Sequence, residues 1–391
     1  MKRTSTSMTR RELLARGGTS LVVLHLFDRG LFAQVWPGST GEAVVPFLDP
    51  TPEPPQPALG ELNSFSWAEL NDWITPTADF FKVAHYDQPE IDPATYRLSI
   101  QGKVRSPQAL SLADIKALPR KEVTFTLECA GNRGFPWFVA GIGNAHWAGT
   151  PLAPILERAG ALDDGIEVVF YGRDAGEEEF GRQQVPQNFA RSMSLDDALD
   201  PEILLCYEMN GEPLPTAHGF PVRLLAPGWF GIANVKWLDR IEVWTTRYAG
   251  RFMARDYVTV REEPRDGGDS VFTQKVVGRS LLASVPGRVT RGDDSYHVYG
   301  AAWGRPIDRV EVRVDGGSWR QATIDRGAND RHAWKFWHAD LGDLGAGEHT
   351  ITARATDANG MTQPEAEDPV VESKLTYWES NGQITRRFQV G

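Results

Sequence analysis

Two cysteines occur in the 391 residues, Cys129 and Cys206, and they stand in different company. Cys129 closes a run in which Val123, Phe125 and Leu127 alternate as in a β-strand, and Ala130-Gly131-Asn132-Arg133 follows it. The small residues let the chain bend sharply and let a ligand approach the backbone, while Arg133 adds a cation near the sulfur. A cysteine so placed is expected to be a thiolate, the form in which sulfur acts as a nucleophile or metal ligand. The same local pattern also describes a core cysteine at a strand end, because free cysteine is among the most buried residue types. Cys206 lies in the apolar run 202–209 and is expected to be an inert strand residue.

Two cysteines leave no disulfide framework and no Cys-rich zinc site, and without a CxxCH motif a covalent c-type haem is not expected. A net charge of -11 argues against a nucleic-acid partner. No stretch reads as a membrane span. The absence of a Gly-rich phosphate loop argues against a nicotinamide or ATP enzyme.

The length implies two domains, each able to bury a core. Arg10-Arg11 ahead of the apolar run 19–27 predicts a twin-arginine export signal over 1–34 and a periplasmic or exported protein, with the cytoplasm as the other location. Seven prolines between Pro37 and Pro57 predict an extended arm over 35–60. Over 61–246 strands and helices mix without a βαβ repeat. Ser66 to Glu69 reads as a capping box opening a helix to Trp73, and 80–86 reads as a strand. Strands over 96–104 and 166–171 alternate with helices capped at Ser111 and Ser194 and with one over 152–159. From 247 to 391 the pattern is that of hairpins, turning at Asp315-Gly316-Gly317 and Asn359-Gly360. No segment there has helical periodicity, which predicts an antiparallel β-sandwich.

Four segments in order carry a resemblance: the Cys-Ala-Gly-Asn-Arg turn, Asn144 to Leu152, Tyr207 to Arg223, and Val235 to Leu238. Together they resemble the sulfite oxidase family of molybdenum enzymes. The resemblance implies an α+β fold, with a mixed α+β domain holding one molybdenum-molybdopterin and an immunoglobulin-like sandwich that mediates dimerisation. It also implies that Cys129 ligates the metal, that His85, Asp174, His218, Arg223 and Lys236 hold the pterin and its phosphate, and that Tyr257 and Arg133 join Cys129 at the catalytic centre. Soft thiolate ligation suits such a metal, and a dianionic phosphate calls for arginine and lysine donors.

The resemblance has gaps. Family members that oxidise sulfite surround the anion with arginines at positions that fall here on Val83, Gly134 and Asn381. Losing those charge-assisted hydrogen bonds, each worth about 1.5–3 kcal/mol, points to a small-molecule substrate other than sulfite. Arg133, Arg255 and Arg386 are the cations that would instead fill the pocket of a genuine sulfite dehydrogenase with a rearranged anion site. No haem domain is encoded, so electrons are expected to pass to an external carrier such as a cytochrome, and a homodimer is expected. Two other classes stay open: a hydrolase using Cys129 with His146 or His218, and a non-catalytic binding protein on the same fold.

Overall fold

The computed structural model describes residues 42–49, 65–135, 137–293, 295–325 and 330–391, and the predicted export signal with its arginine pair lies outside them. The architecture is mostly β-sheet with a few short helices. Two sheets build the N-terminal part. In one, Arg223–Leu225, Leu204–Met209, Ile142–Pro151 and Lys121–Glu128 are neighbours in that order, all antiparallel. In the other, the order is Gln108–Ser111, Arg97–Gly102, Leu238–Trp244, Glu167–Phe180 and Gln183–Ser194, with a parallel pairing between Arg97–Gly102 and Leu238–Trp244.

The strand Lys121–Glu128 shows why the chain folds this way. Phe125 and Leu127 enter an apolar cluster with Phe80, Trp147 and Leu225. The alternate residues Thr124, Thr126 and Glu128 are buried too, which a plain in-and-out alternation does not predict. The C-terminal part covers that face and satisfies it: Thr126 Oγ1 accepts from the Trp334 amide at 2.6 Å and donates to Asn144 Oδ1 at 2.9 Å. Buried hydroxyls are tolerated because each finds a partner.

The C-terminal part is a β-sandwich. One sheet runs Ala43–Val45, Ala283–Arg291, Tyr296–Trp303, Lys335–Gly342 and Thr323–Ile324; the other runs Arg320–Gln321, Ile307–Val314, Gly347–Asp357 and Ile384–Val390. Val289, Val298 and Trp337 from the first meet Val310, Ile351, Ala353 and Phe388 from the second in one apolar cluster. The predicted turns are present: Ile307–Val314 ends at Asp315 and Gly316, both at positive φ. Part of the proline-rich arm is more than a surface segment, since Ala43–Val45 pairs along Ala283–Arg291. A separate hairpin, Val258–Pro264 with Ser270–Val276, stands beside the sandwich.

Three local expectations change. The predicted helix from Ser66 is a single 3-10 turn, Trp67–Glu69, with no side-chain cap, because the chain bends to bury two indoles; Trp67 Nε1 donates to Val139 O at 2.8 Å and Trp73 Nε1 to Trp334 O at 3.1 Å. Residues 80–86 are not a strand. Among the described residues no strand pairs with them, and their position comes from side chains instead, Phe80 lying edge-on to Trp147 at 5.6 Å and to His218 at 5.6 Å. Among the described residues beyond 247, two one-turn helices, Arg251–Ala254 and Pro369–Glu372, are too short to show a period in the sequence. The helices capped by Ser111 and Ser194 form, the first with a full capping box to Asp114.

Candidate active site

A cavity of about 660 Å³ lies between the two N-terminal sheets and is lined by Cys129, His85, Asp174, His218, Arg223, Lys236 and Tyr257. Seven of the eight residues singled out in the sequence therefore meet in one place. They arrive from different elements. Cys129 follows the strand Lys121–Glu128, and the Asn132 and Cys129 backbones close its turn with a hydrogen bond of 2.9 Å. Asp174 sits in the irregular part of the long hairpin, where the register shifts between Tyr171 and Ala175. His218 ends a 3-10 turn, and Gly219 follows at φ 106°, where an added Cβ would lie 3.1 Å from both Arg223 and Lys236. Only glycine allows these groups to crowd together.

The polar groups face inward with unmet hydrogen-bonding capacity. Arg223 donates to His218 O at 3.0 Å and to Asn234 O at 3.1 Å, yet its Nε has no partner, nor does His218 Nε2 or Asp174 Oδ1. Lys236 Nζ donates to Ala217 O at 3.0 Å. Burial shifts each group toward its neutral form. His218 falls to about 3, with Arg223 and Lys236 adding to the effect, and His85 falls to about 4 through burial and the charge of Arg251. Lys236 is brought down to about 7 by burial and Arg223, and burial raises Asp174 to about 7. A buried site with arginine, lysine and orphaned donors fits an anionic guest with hydrogen-bonding ring edges.

Cys129 corrects the thiolate expectation. Its sulfur reaches the cavity, but burial pushes the thiol up to about 11, and the adjacent Glu128 acts in the same direction. A free thiol at this site is protonated, and ligation of a metal would displace the proton. Among the described residues no three His, Cys, Asp or Glu side chains converge as metal ligands. A metal on Cys129 would thus bring its other ligands with it, as a dithiolene-bearing pterin does. The residues present fit that group.

Arg133 is the eighth residue, and it does not line the cavity. It sits at φ 62° and turns away from the cavity, Nη2 donating to Gly382 O at 3.2 Å, so that it fastens the cysteine turn to the C-terminal part. The other cations fare no better as substrate ligands. Arg255 pairs with Glu178 and Asp256, and Arg386 with Asp49. Of the three positions that depart from the family, Val83 lines the cavity, Asn381 Nδ2 points to Leu282 O at 3.5 Å, and Gly134 packs against the backbone of Tyr377.

A family model for an oxidoreductase molybdopterin binding domain matches residues 85–252, and one for a Mo-co oxidoreductase dimerisation domain matches 283–380. Sulfite oxidase of Arabidopsis thaliana is 33% identical over 358 residues, covering 80% of this chain and 85% of that protein. The chain belongs to the sulfite oxidase family. Mitochondrial sulfite oxidase of Homo sapiens is 34% identical over 328 residues, 76% of this chain, and the match spans 59% of the human protein's length. Among solved structures, the sulfane dehydrogenase SoxCD from Paracoccus pantotrophus superposes with a TM-score of 0.74 at 25% identity, covering 87% of this chain and 90% of that one.

Several residues of this family member's site escape sequence reasoning. Arg191 is fully buried and donates to Phe252 O and Val277 O. Its signal was available, because Arg191 stands between Phe189 and Met193 on one face of the strand Gln183–Ser194. Trp378 and Glu379 had no local signal. Trp378 stacks on Tyr257 with ring centroids 4.0 Å apart, and Glu379 donates its amide to Ala130 O at 2.9 Å. Both come from a C-terminal bend about 250 residues from the cysteine.

Proposed function

We propose that this enzyme moves an oxygen atom and two electrons between water and a small sulfur- or nitrogen-containing substrate that is neutral or singly charged, and that sulfite is turned over poorly. The observation that carries this is the composition of the cavity wall beside Cys129: Val83 lies there, and Arg133, Arg255 and Arg386 do not line it. A sulfite dianion would enter without the charge-assisted contacts that offset its desolvation. The likeness in fold to a sulfane dehydrogenase supports reduced sulfur as the reacting atom.

When bound, the molybdenum-molybdopterin supplies the two-electron couple and the oxygen-transfer centre. Cys129 would ligate the metal. His85, His218, Arg223, Lys236 and Asp174 would hold the pterin and its phosphate, with His218 Nε2, Arg223 Nε and Asp174 Oδ1 free to meet it. Tyr257 would stand at the substrate side, its hydroxyl hydrogen-bonded to His85. His146 does not line the cavity and bonds Thr124 at 3.1 Å, so a Cys129–His146 hydrolase finds no support in the geometry.

In the same reading, residues 1–34 direct export to the periplasm, 61–246 hold the cofactor, and 247–391 form an immunoglobulin-like sandwich that makes a homodimer. Electrons pass to an external carrier such as a cytochrome. The test is a molybdenum and pterin assay on purified protein, followed by a substrate screen with an artificial acceptor. About one molybdenum per chain and turnover of a neutral sulfur compound are expected. Efficient sulfite oxidation by the unmodified protein would overturn the substrate reading.

A further inference from the structure

Large apolar side chains are exposed where the separate hairpin meets the C-terminal bend: Phe272 is 62% exposed, Leu375 58% and Tyr377 40%. Backbone hydrogen bonds from Glu262 to Ser373 and from Leu375 to Val260 lay residues 373–375 along the hairpin edge through a single isolated bridge at Lys374. The register settles the faces. Arg261 bridges Lys374, Glu262 pairs with Phe272, and Val260 pairs with Gln274, so Leu375, Val260 and Phe272 lie on one face of this small sheet. The opposite face turns inward, where Lys374 Nζ donates to Glu379 O at 2.7 Å. Among the described residues, Phe272 and Leu375 on this face stay exposed.

Its surroundings are acidic. Residues 258–276 and 365–375 carry eight carboxyl groups against four cations. Of those cations, Lys374 is turned inward and Arg261 donates to Val370 O. Beside Leu375 a shallow hollow of about 790 Å³ is lined by Glu262, Asp269, Glu372 and Arg265.

The patch also adjoins the site. Tyr377 lies two residues beyond Leu375, its ring centroid is 4.0 Å from that of Trp378, and Trp378 is 4.0 Å from Tyr257 in the cavity wall. An unbroken run of ring contacts joins the exposed patch to the cavity.

We propose that the Phe272–Leu375 face is the docking surface for the enzyme's electron carrier, a small basic redox protein with an apolar contact ringed by lysines. This rests on the oxidoreductase reading above and adds the place and chemistry of the partner. In the oxidative direction substrate and water give oxygenated substrate, two protons and two electrons, and two single-electron carriers dock in succession to take one electron each. The apolar centre supplies contact area and the acidic rim supplies steering. A second copy of this chain fits worse, since a two-fold contact would bring acidic rim against acidic rim.

The test uses the intact holoenzyme with a basic c-type cytochrome as probe. Calorimetry measures binding, and stopped-flow follows oxidation of dithionite-reduced enzyme by the cytochrome and, separately, by ferricyanide. Phe272→Ser with Leu375→Ser, and Glu262→Lys with Glu372→Lys, should each weaken cytochrome binding about tenfold or more while leaving the ferricyanide rate unchanged. The charge variant should also flatten the salt dependence. Wild-type affinity in both variants overturns the proposal, as does an equal loss with ferricyanide or conversion of a dimer to monomers. Binding lost only in the variants, with no turnover in any substrate screen, upholds the surface and overturns only the substrate reading.

Discussion

The Tyr257 hydroxyl lies 2.8 Å from His85 Nε2, and the two residues are 172 positions apart in the chain. His85 is held at about 4 by burial and by Arg251, so near neutral pH it is uncharged, and in the tautomer protonated at Nδ1 its Nε2 accepts the phenolic proton. Burial raises the phenol well above its usual range, with Cys129 next in effect, so Tyr257 remains a donor. Tyr257→Phe should leave the molybdenum content unchanged and lower kcat/KM by about 10²-fold, the size of a lost positioned proton donor. Steady-state kinetics normalised to bound metal checks this; unchanged kcat/KM would remove Tyr257 from the chemistry.

His218 gives a pH dependence with a definite sign. Its folded value of about 3 lies below the ordinary 6.5, so between these values the unfolded chain binds the extra proton and wild-type protein loses stability as pH falls. His218→Gln removes that term. Cofactor-free wild type should lose stability relative to this variant below about pH 6.5, by about 2–3 kcal/mol at about pH 4.5. Parallel urea curves at both ends of the range would contradict the buried neutral imidazole.

The two cysteines separate cleanly. Cys129→Ser should fold and lose both activity and the wild-type metal spectrum. Cys206→Ser should keep the spectrum and lose about 1–3 kcal/mol, because Cys206 is fully buried among Trp147, Leu204 and Leu225. Electronic absorption of the loaded proteins distinguishes them.

Restoring the missing cations is possible at one position and blocked at another. Val83 lines the cavity, so Val83→Arg should raise sulfite kcat/KM by about tenfold, the equivalent of one partial charged contact. At Gly134 an added Cβ would lie 2.2 Å from Tyr377 O. Gly134→Arg should therefore cost about 1–3 kcal/mol and lower activity instead of adding to the gain. Sulfite assays with thermal melts on both single variants test the contrast.

Local chemistry was legible in the sequence, and long-range closure was not. The Cys129 strand and turn, the Ser111 and Ser194 caps and the Asp315-Gly316 turn are written in residue types a few positions apart. The convergence of His85, His218, Arg223 and Lys236 was reached through the resemblance, since their individual surroundings mark none of them as ligands. What stayed hidden depends on contacts between distant segments. Thr124 and Thr126 alternate like an exposed face, yet the sandwich buries them; Arg133 stands beside the cysteine in sequence, yet a positive φ sends it to Gly382. Spacing along one segment carries no information about either.

Glu379 is where those distant segments meet. Its amide donates to Ala130 O at 2.9 Å, next to Cys129, and its Oε2 accepts from Thr259 Oγ1 at 2.6 Å, two residues beyond Tyr257. It is buried, its φ is 57°, and its Oε1 has no partner, as is also true of Nε in the nearby buried Arg191. Two features of this residue can be told apart. Glu379→Gly relieves the backbone and removes the carboxyl group, whereas Glu379→Ala removes the carboxyl group and keeps the strain. If the carboxyl group is what holds the cysteine turn against the Tyr257 strand, both variants should lose about 1.5–3 kcal/mol and turn over more slowly per bound molybdenum, with glycine the milder by up to about 1 kcal/mol. A glycine variant more stable than wild type, with unchanged kcat, would show that the strained backbone dominates and that the carboxyl group adds little.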